Sequence, residues 1–149
     1  MSKELVETWM TEDVVTISPD MPLPEAHKMM TEEEIRRLPV VDANGKLVGI
    51  VTLGDVREAE PSSATSLSVW ELNYLLSKLT VKEIMTKNPI TVRNTATIGE
   101  AARTMLERRV SGLPVVDEHN KLVGIITESD IFSMVVLHEW REDVARVSA

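Results

Sequence analysis

The stretch LPVVDANGKLVGIVTLGD, Leu38 to Asp55, returns as LPVVDEHNKLVGIITESD, Leu113 to Asp130. In the first copy it reads as two apolar strands, Leu38–Val41 and Leu47–Thr52, around Asn44-Gly45. That dipeptide is a tight-hairpin signal, because both residue types accept the positive φ that such turns require. The second copy has His119-Asn120 there, which is weaker but still turn-compatible. The strands are apolar on both faces, so the small sheet is expected to be covered on both sides.

Working outward, a shift of 75 residues aligns Met10–Val56 with Met85–Ile131 without a gap. Nineteen of those 47 positions are identical, far above the few that chance gives, so the chain is a duplication. Other pairs exchange one aliphatic for another, as in Ile17/Val92, Leu23/Ile98, Ile35/Val110 and Val51/Ile126. Ahead of each hairpin, Val14–Ile17 and Ile90–Val92 read as short β-branched strands. Pro24–Glu33 and Ile98–Arg108 read as amphipathic helices from the spacing of Met29 and Met30, and of Ala101, Ala102 and Met105. Pro24 suits a first helical turn, and Thr97 with Glu100 fits a capping box. A final helix begins after Thr52 and after Thr127.

The expected fold class is α/β (α+β): two β-α-β-β-α repeats packed about a pseudo-twofold axis, with two clefts between them. A unit of roughly fifty residues buries too little surface to stand comfortably alone. Residues 1–60 form the first repeat, 61–80 a linker with a helix, and 81–149 the second repeat with a C-terminal helix. Within the linker, EPSSATS (Glu60–Ser66) reads as a loop. Leu67–Leu79 reads as a scaffold or partner-facing helix with Val69, Leu72, Leu75, Leu76 and Leu79 on one stripe. The C-terminal helix, Ser129 to about Val147, displays Phe132, Val135, Val136 and Trp140, a surface suited to a dimer contact.

Composition narrows the chemistry. The 16 Lys+Arg against 24 Asp+Glu give a net charge of −8, which repels nucleic-acid backbones and anionic lipid. There are no cysteines, so disulfides, thiolate catalysis and Cys-based metal sites are excluded. The segment from Met1 to Asp13 is not a signal peptide, and no apolar run approaches the ~20 residues that span a membrane. With aromatics at only 3%, the core must be aliphatic, and the methionines read as core filler. His27, His119 and His138 show no metal-ligand spacing and read as surface residues. No Ser-His-Asp set, Gly-rich phosphate loop or catalytic carboxylate pair is present, so no catalytic residue is assigned.

The pattern Gly49-Ile-Val-Thr52-Leu-Gly-Asp55 recurs as Gly124-Ile-Ile-Thr127-Glu-Ser-Asp130. Thr-x-x-Asp at a helix start is a capping arrangement, with hydroxyl and carboxylate taking up free backbone N–H groups. It equally suits a ligand, since a helix N-terminus favours phosphate and a carboxylate can accept a ribose diol. Arg36 and Arg37 precede the first Leu-Pro. They read either as a charged face paired with Glu32-Glu33-Glu34 or as an anion contact.

Met-Thr at Met10-Thr11 and Met85-Thr86, then Leu-Pro-Val-Val-Asp, Leu-Val-Gly-Ile and Thr-x-x-Asp, resembles the cystathionine-β-synthase (CBS) domain. Two in tandem resemble a Bateman module. The resemblance implies a stand-alone, non-enzymatic, cytoplasmic regulatory module that needs no cofactor. It would bind AMP, ADP, ATP or S-adenosylmethionine between its repeats, assemble as a homodimer and act on a regulated protein. The alternative is a ligand-independent interaction or oligomerisation module.

By the same resemblance Thr52, Asp55, Thr127 and Asp130 meet phosphate and ribose, while Val15, Ile35, Ile90, Val110 and Ser111 meet adenine. The first copy's Ile35-Arg36-Arg37 and the second copy's Val110-Ser111-Gly112 both resemble the gamma subunit of AMP-activated protein kinase. In that subunit a basic pair reaches phosphates and a Val-Ser-small segment supplies the adenine pocket. One cleft would then join Ile90, Val110 and Ser111 with Thr52, Asp55 and Arg37, and the other Val15 and Ile35 with Thr127 and Asp130. From Gly54 against Ser129, and Pro19, Pro22 and Pro24 against Asn94, Thr97 and Gly99, the expectation is that the two clefts differ in affinity or that only one is occupied.

Overall fold

The computed structural model describes residues 4–59 and 68–139. The first half runs α1 (Val6–Trp9), α2 (Leu23–Glu32), β1 (Arg37–Val41), β2 (Leu47–Thr52), α3 (Leu53–Ala59) and α4 (Val69–Lys78). The second runs α5 (Val81–Ile84), β3 (Thr86–Lys87), β4 (Val92–Arg93), α6 (Ile98–Arg108), β5 (Gly112–Val116), β6 (Leu122–Thr127) and α7 (Glu128–Glu139). Two compact units result: Val15–Pro89, and Met1–Val14 with Ile90–Ala149.

These units cut across the 1–60, 61–80 and 81–149 division, because each copy's leading segment pairs into the other copy's sheet. In Val15–Pro89 the sheet order is β1-β2-β3, with Thr86 opposite Ile50. In the other unit the order is β4-β5-β6, and Thr11 bridges Ile125 on β6. The bridge is closed by Thr11 N–H to Ile125 O at 2.8 Å and Ile125 N–H to Thr11 O at 2.9 Å. Ahead of these leads sit α1 and α5, at equivalent places in the two copies, each burying its first valine completely (Val6 and Val81). The duplication therefore begins at Val6, earlier than the Met10 at which the sequence comparison starts.

The cores match position for position. Ile17, Leu23, Ala26, Met30, Leu38, Val40 and Val51 fill one, and their counterparts Val92, Ile98, Ala101, Met105, Leu113, Val115 and Ile126 the other. Met30 and Met105 are core filler, as expected. Strand β5 is buried throughout, whereas β2 alternates between buried and half-buried residues.

Three details differ from the sequence reading. The first strand of copy one, expected over Val14–Ile17, is reduced to a bridge between Ile17 and Val40. Copy two extends its parallel ladder through Asn94, whose N–H reaches Val116 O at 3.0 Å. The counterpart of Asn94 is Pro19, which has no N–H to give. Secondly, Asn44-Gly45 is not a two-residue hairpin. Gly45 N–H bonds Asp42 O at 3.0 Å, so Ala43 and Asn44 form the turn and Gly45 (φ 80°) supplies the left-handed step after it. Asn120 (φ 63°) takes the same step in copy two, which explains how that hairpin manages without glycine. Both turns are fastened by an aspartate: Asp42 Oδ1 accepts from the N–H groups of Asn44 and Lys46, and Asp117 Oδ1 from those of His119 and Lys121.

Thirdly, the linker helix does not bury its whole stripe. Helix α4 is capped by Ser68, whose Oγ accepts from Glu71 N–H at 3.2 Å. Leu76 lines a cavity with α2, and Leu79 packs on the core beyond the helix end, while Val69 (70% exposed) and Leu75 (46%) face outward. Glu60–Ser66 and Leu67 lie outside the described residues, as do Trp140 and the stretch to Val147. Elsewhere the expectations for helices hold: α6 spans Ile98–Arg108, and Thr97 and Glu100 form a reciprocal capping box.

Candidate ligand site

The two Thr-x-x-Asp turns fold alike. Thr52 N–H donates to Asp55 Oδ2 at 2.9 Å, and Asp55 N–H donates to Thr52 Oγ1 at 3.1 Å. Thr127 N–H donates to Asp130 Oδ2 at 2.9 Å, and Asp130 N–H to Thr127 Oγ1 at 3.4 Å. The capping arrangement is thus present in both copies. Both turns are half-buried, so the carboxylates are held by backbone donors yet stay within reach of solvent. Asp130 Oδ1 also accepts from Thr11 Oγ1 at 3.4 Å, which ties the N-terminal lead to the turn.

The second residue before Leu-Pro is pinned beside the same turn. Leu53 N–H donates to Arg36 O at 2.7 Å, and in the other unit Glu128 N–H donates to Ser111 O at 3.1 Å. Arg37 stands directly opposite Thr52 in the antiparallel ladder, as Gly112 does opposite Thr127. Arg36, Arg37 and Thr52 therefore share one cavity of about 300 Å³, which Leu53, Gly54 and Arg57 complete. Arg57 was not among the sequence candidates. It has no basic counterpart in copy two, so comparison of the repeats could not single it out. Thr11 was missed as well, although the repeated Met-Thr pair was its signal.

Of the apolar candidates, Val15 and Ile35 are half-buried and pack against the core of their unit, and Val110 does so in the other. Ile90 is 37% exposed. One unit thus gathers Val15, Ile35, Arg36, Arg37, Thr52 and Asp55, and the other Ile90, Val110, Ser111, Thr127 and Asp130. Two of the histidines face carboxylates: His119 Nε2 lies 3.3 Å from Glu118, and His138 Nε2 lies 3.2 Å from Glu4. Among the described residues no three His, Asp or Glu side chains gather to hold a metal. Among them too, no helix is long and apolar enough to cross a membrane.

A family model for the CBS domain matches residues 3–62 and 81–137. The chain belongs to the CBS-domain family and carries two such domains in tandem. It is 36% identical over 134 residues to a CBS domain-containing protein of Dictyostelium discoideum, covering 90% of this chain and 92% of that one. Several other curated relatives are longer proteins, of which the chain spans about a quarter. Among solved structures it is similar to CBSX2 from Arabidopsis thaliana in complex with AMP. That similarity has a TM-score of 0.77 and 30% identity, over 91% of this chain and 98% of the other. It is also similar to the CBS domain pair of protein MJ0100 in complex with 5'-methylthioadenosine and S-adenosyl-L-methionine. Here the TM-score is 0.71 with 32% identity, over 89% and 96% of the two chains.

Proposed function

We propose that the chain is a regulatory, non-enzymatic module that binds an adenosine-containing ligand at its Thr-x-x-Asp turns. The observation that carries this reading is the repeated geometry at Thr52–Asp55 and Thr127–Asp130. Each turn fixes a carboxylate where a ribose diol could donate to it, with hydroxyl and backbone donors close by. The cavity beside Thr52, with Arg36 and Arg57 among its lining residues, suits an anion in a chain whose net charge is −8. The similar solved structures, named as complexes with AMP and with adenosyl thioethers and sulfonium, support the same ligand class. Val15, Ile35, Ile90, Val110 and Ser111 are the proposed adenine contacts. The exposed Phe132, Val136 and Leu137 of α7 suit a homodimer contact, and a cytoplasmic regulated protein would read the bound state.

A thermal-shift panel of AMP, ADP, ATP, adenosine and S-adenosylmethionine tests the reading. A native-state ligand at about 100 times its dissociation constant adds ~2.7 kcal/mol, a readily measured rise in melting temperature. No rise with any of the five at millimolar concentration overturns it in favour of a ligand-independent interaction module.

A further inference from the structure

Each copy's Met-Thr pair sets a thioether on a glycine. The Met10 sulfur lies against Gly124 and the Met85 sulfur against Gly49, so closely that a Cβ on either glycine would collide with it. Both methionines are half-buried at the edges of the two cores, whereas Met30 and Met105 are sealed inside. The chain has no cysteine, so methionine holds all of its oxidisable sulfur.

What the sulfur touches decides what its oxidation does. A sulfoxide turns a soft apolar side chain into a strongly polar one, whose oxygen needs a hydrogen-bond donor. Thr11 O shares the Met10–Gly124 contact, and it is itself an acceptor. The backbone donors beside it are spent: Met10 N–H on Val6 O, Thr11 N–H on Ile125 O and Ile125 N–H on Thr11 O. Met85 is placed alike, with Thr86 O in the contact, its own N–H on Val81 O and Thr86 paired with Ile50. A sulfoxide oxygen at either place is drawn to water, and the side chain leaves its glycine to reach it.

We infer that Met10 and Met85 are oxidation sites, at which a hydroperoxide makes the sulfoxide and so loosens each lead from β6 or β2. The sulfur lone pair attacks the terminal hydroxyl oxygen of the hydroperoxide, and the S–O bond forms as the O–O bond breaks. The proton of that hydroxyl passes to the departing oxygen, which leaves as water or an alcohol. Sulfur is oxidised and the peroxide reduced. The inference stands apart from the proposed ligand function, since it needs no ligand in either unit.

Hydrogen peroxide treatment of the full-length chain and of Met10→Leu/Met85→Leu tests this, with sulfoxides located by peptide mass and stability read from urea denaturation. Met21, Met29 and Met134 are half-buried against core side chains and serve as internal controls, because they are oxidisable in both chains. The expected result is sulfoxide at Met10 and Met85 ahead of Met30 and Met105, with a rise of about tenfold or more in the parent's unfolding constant. That is the scale of one polar group left without a partner. Methionine sulfoxide reductase should restore the midpoint, and the double variant should keep its own after the same treatment. A parent chain that carries both sulfoxides and unfolds at an unchanged midpoint overturns the inference. So does a double variant that loses as much as the parent. The parent's loss and its repair by the reductase need no variant, so they decide the matter even if the leucine pair does not fold.

Discussion

Met10 lies over Gly124: a Cβ on that glycine would stand 2.6 Å from the Met10 sulfur and 2.9 Å from Thr11 O. Gly49 stands in the same relation to Met85 and Thr86, at 2.5 Å and 3.0 Å. The Met-Thr and Leu-Val-Gly-Ile motifs are thus two sides of one close contact, each copy's lead lying on the other copy's third strand.

Gly124→Ala should therefore destabilise the chain by about 1–3 kcal/mol, the usual cost of overpacking, since the backbone oxygen cannot swing aside as the thioether can. Gly49→Ala should behave alike. Gly54→Ala is the contrast: its Cβ would meet only Thr52 Oγ1, at 3.6 Å, on a helix where alanine is favoured. Urea denaturation of the three variants checks this. Equal midpoints for Gly54→Ala and Gly124→Ala would show that the lead does not press on β6.

Val6 and Val81 are both fully buried, although Val6 belongs to a four-residue helix close to the N-terminus. Truncating a buried valine to alanine removes two methyl groups, worth roughly 2 kcal/mol together with the cavity left behind. Val6→Ala and Val81→Ala should each lose about that much in chemical denaturation. A Val6→Ala chain as stable as the parent would mean that the lead is not part of the core.

Asp55 caps its turn and is also the proposed ribose acceptor, whereas Thr97 caps α6 away from the site. Thr97→Ala should cost about 1 kcal/mol and leave nucleotide affinity unchanged. Asp55→Ala should cost a similar amount of stability and weaken adenosine binding besides. Melting temperature and titration calorimetry on the same samples separate the two. If both variants bind as the parent does, the aspartate is a cap and nothing more.

The Asp117 carboxyl is held below its ordinary value. The Lys121 N–H hydrogen bond is the main cause; desolvation opposes it, and the His119 N–H and the charges of both side chains add to the lowering. The shift is downward, so the folded chain binds this proton less readily than the unfolded one. Its contribution to stability is complete above the ordinary carboxylate value and fades as the pH falls through the lower folded value. Asp117→Asn keeps an acceptor but has no proton to gain. Its denaturation midpoint should fall less steeply than the parent's as the solution is acidified from about pH 5. Parallel acid limbs would remove the hairpin carboxylate from the account.

Much of this could be read before any coordinates. Leu38–Asp55 repeated at Leu113–Asp130 established the duplication, and the helical spacing around Met30 and Met105 placed the residues that fill both cores. The capping boxes were equally legible, since they depend on residues three apart. These are local matters: backbone sterics, hydrogen bonds within a turn and the period of burial act along a few neighbouring residues. Which lead pairs with which sheet was not legible. Met10 and Gly124 are joined by long-range pairing, and an identical motif in both copies satisfies the swapped and unswapped arrangements equally well. The gathering of Arg57 with Arg36 and Arg37 was hidden for the same reason, because a strand and the helix two elements later meet only once the β1–β2 ladder fixes their register. The sequence by itself determined two like units, their cores and their turns. Tertiary structure alone decided which segments complete each unit, and that Arg57 comes to lie beside Arg36 and Arg37.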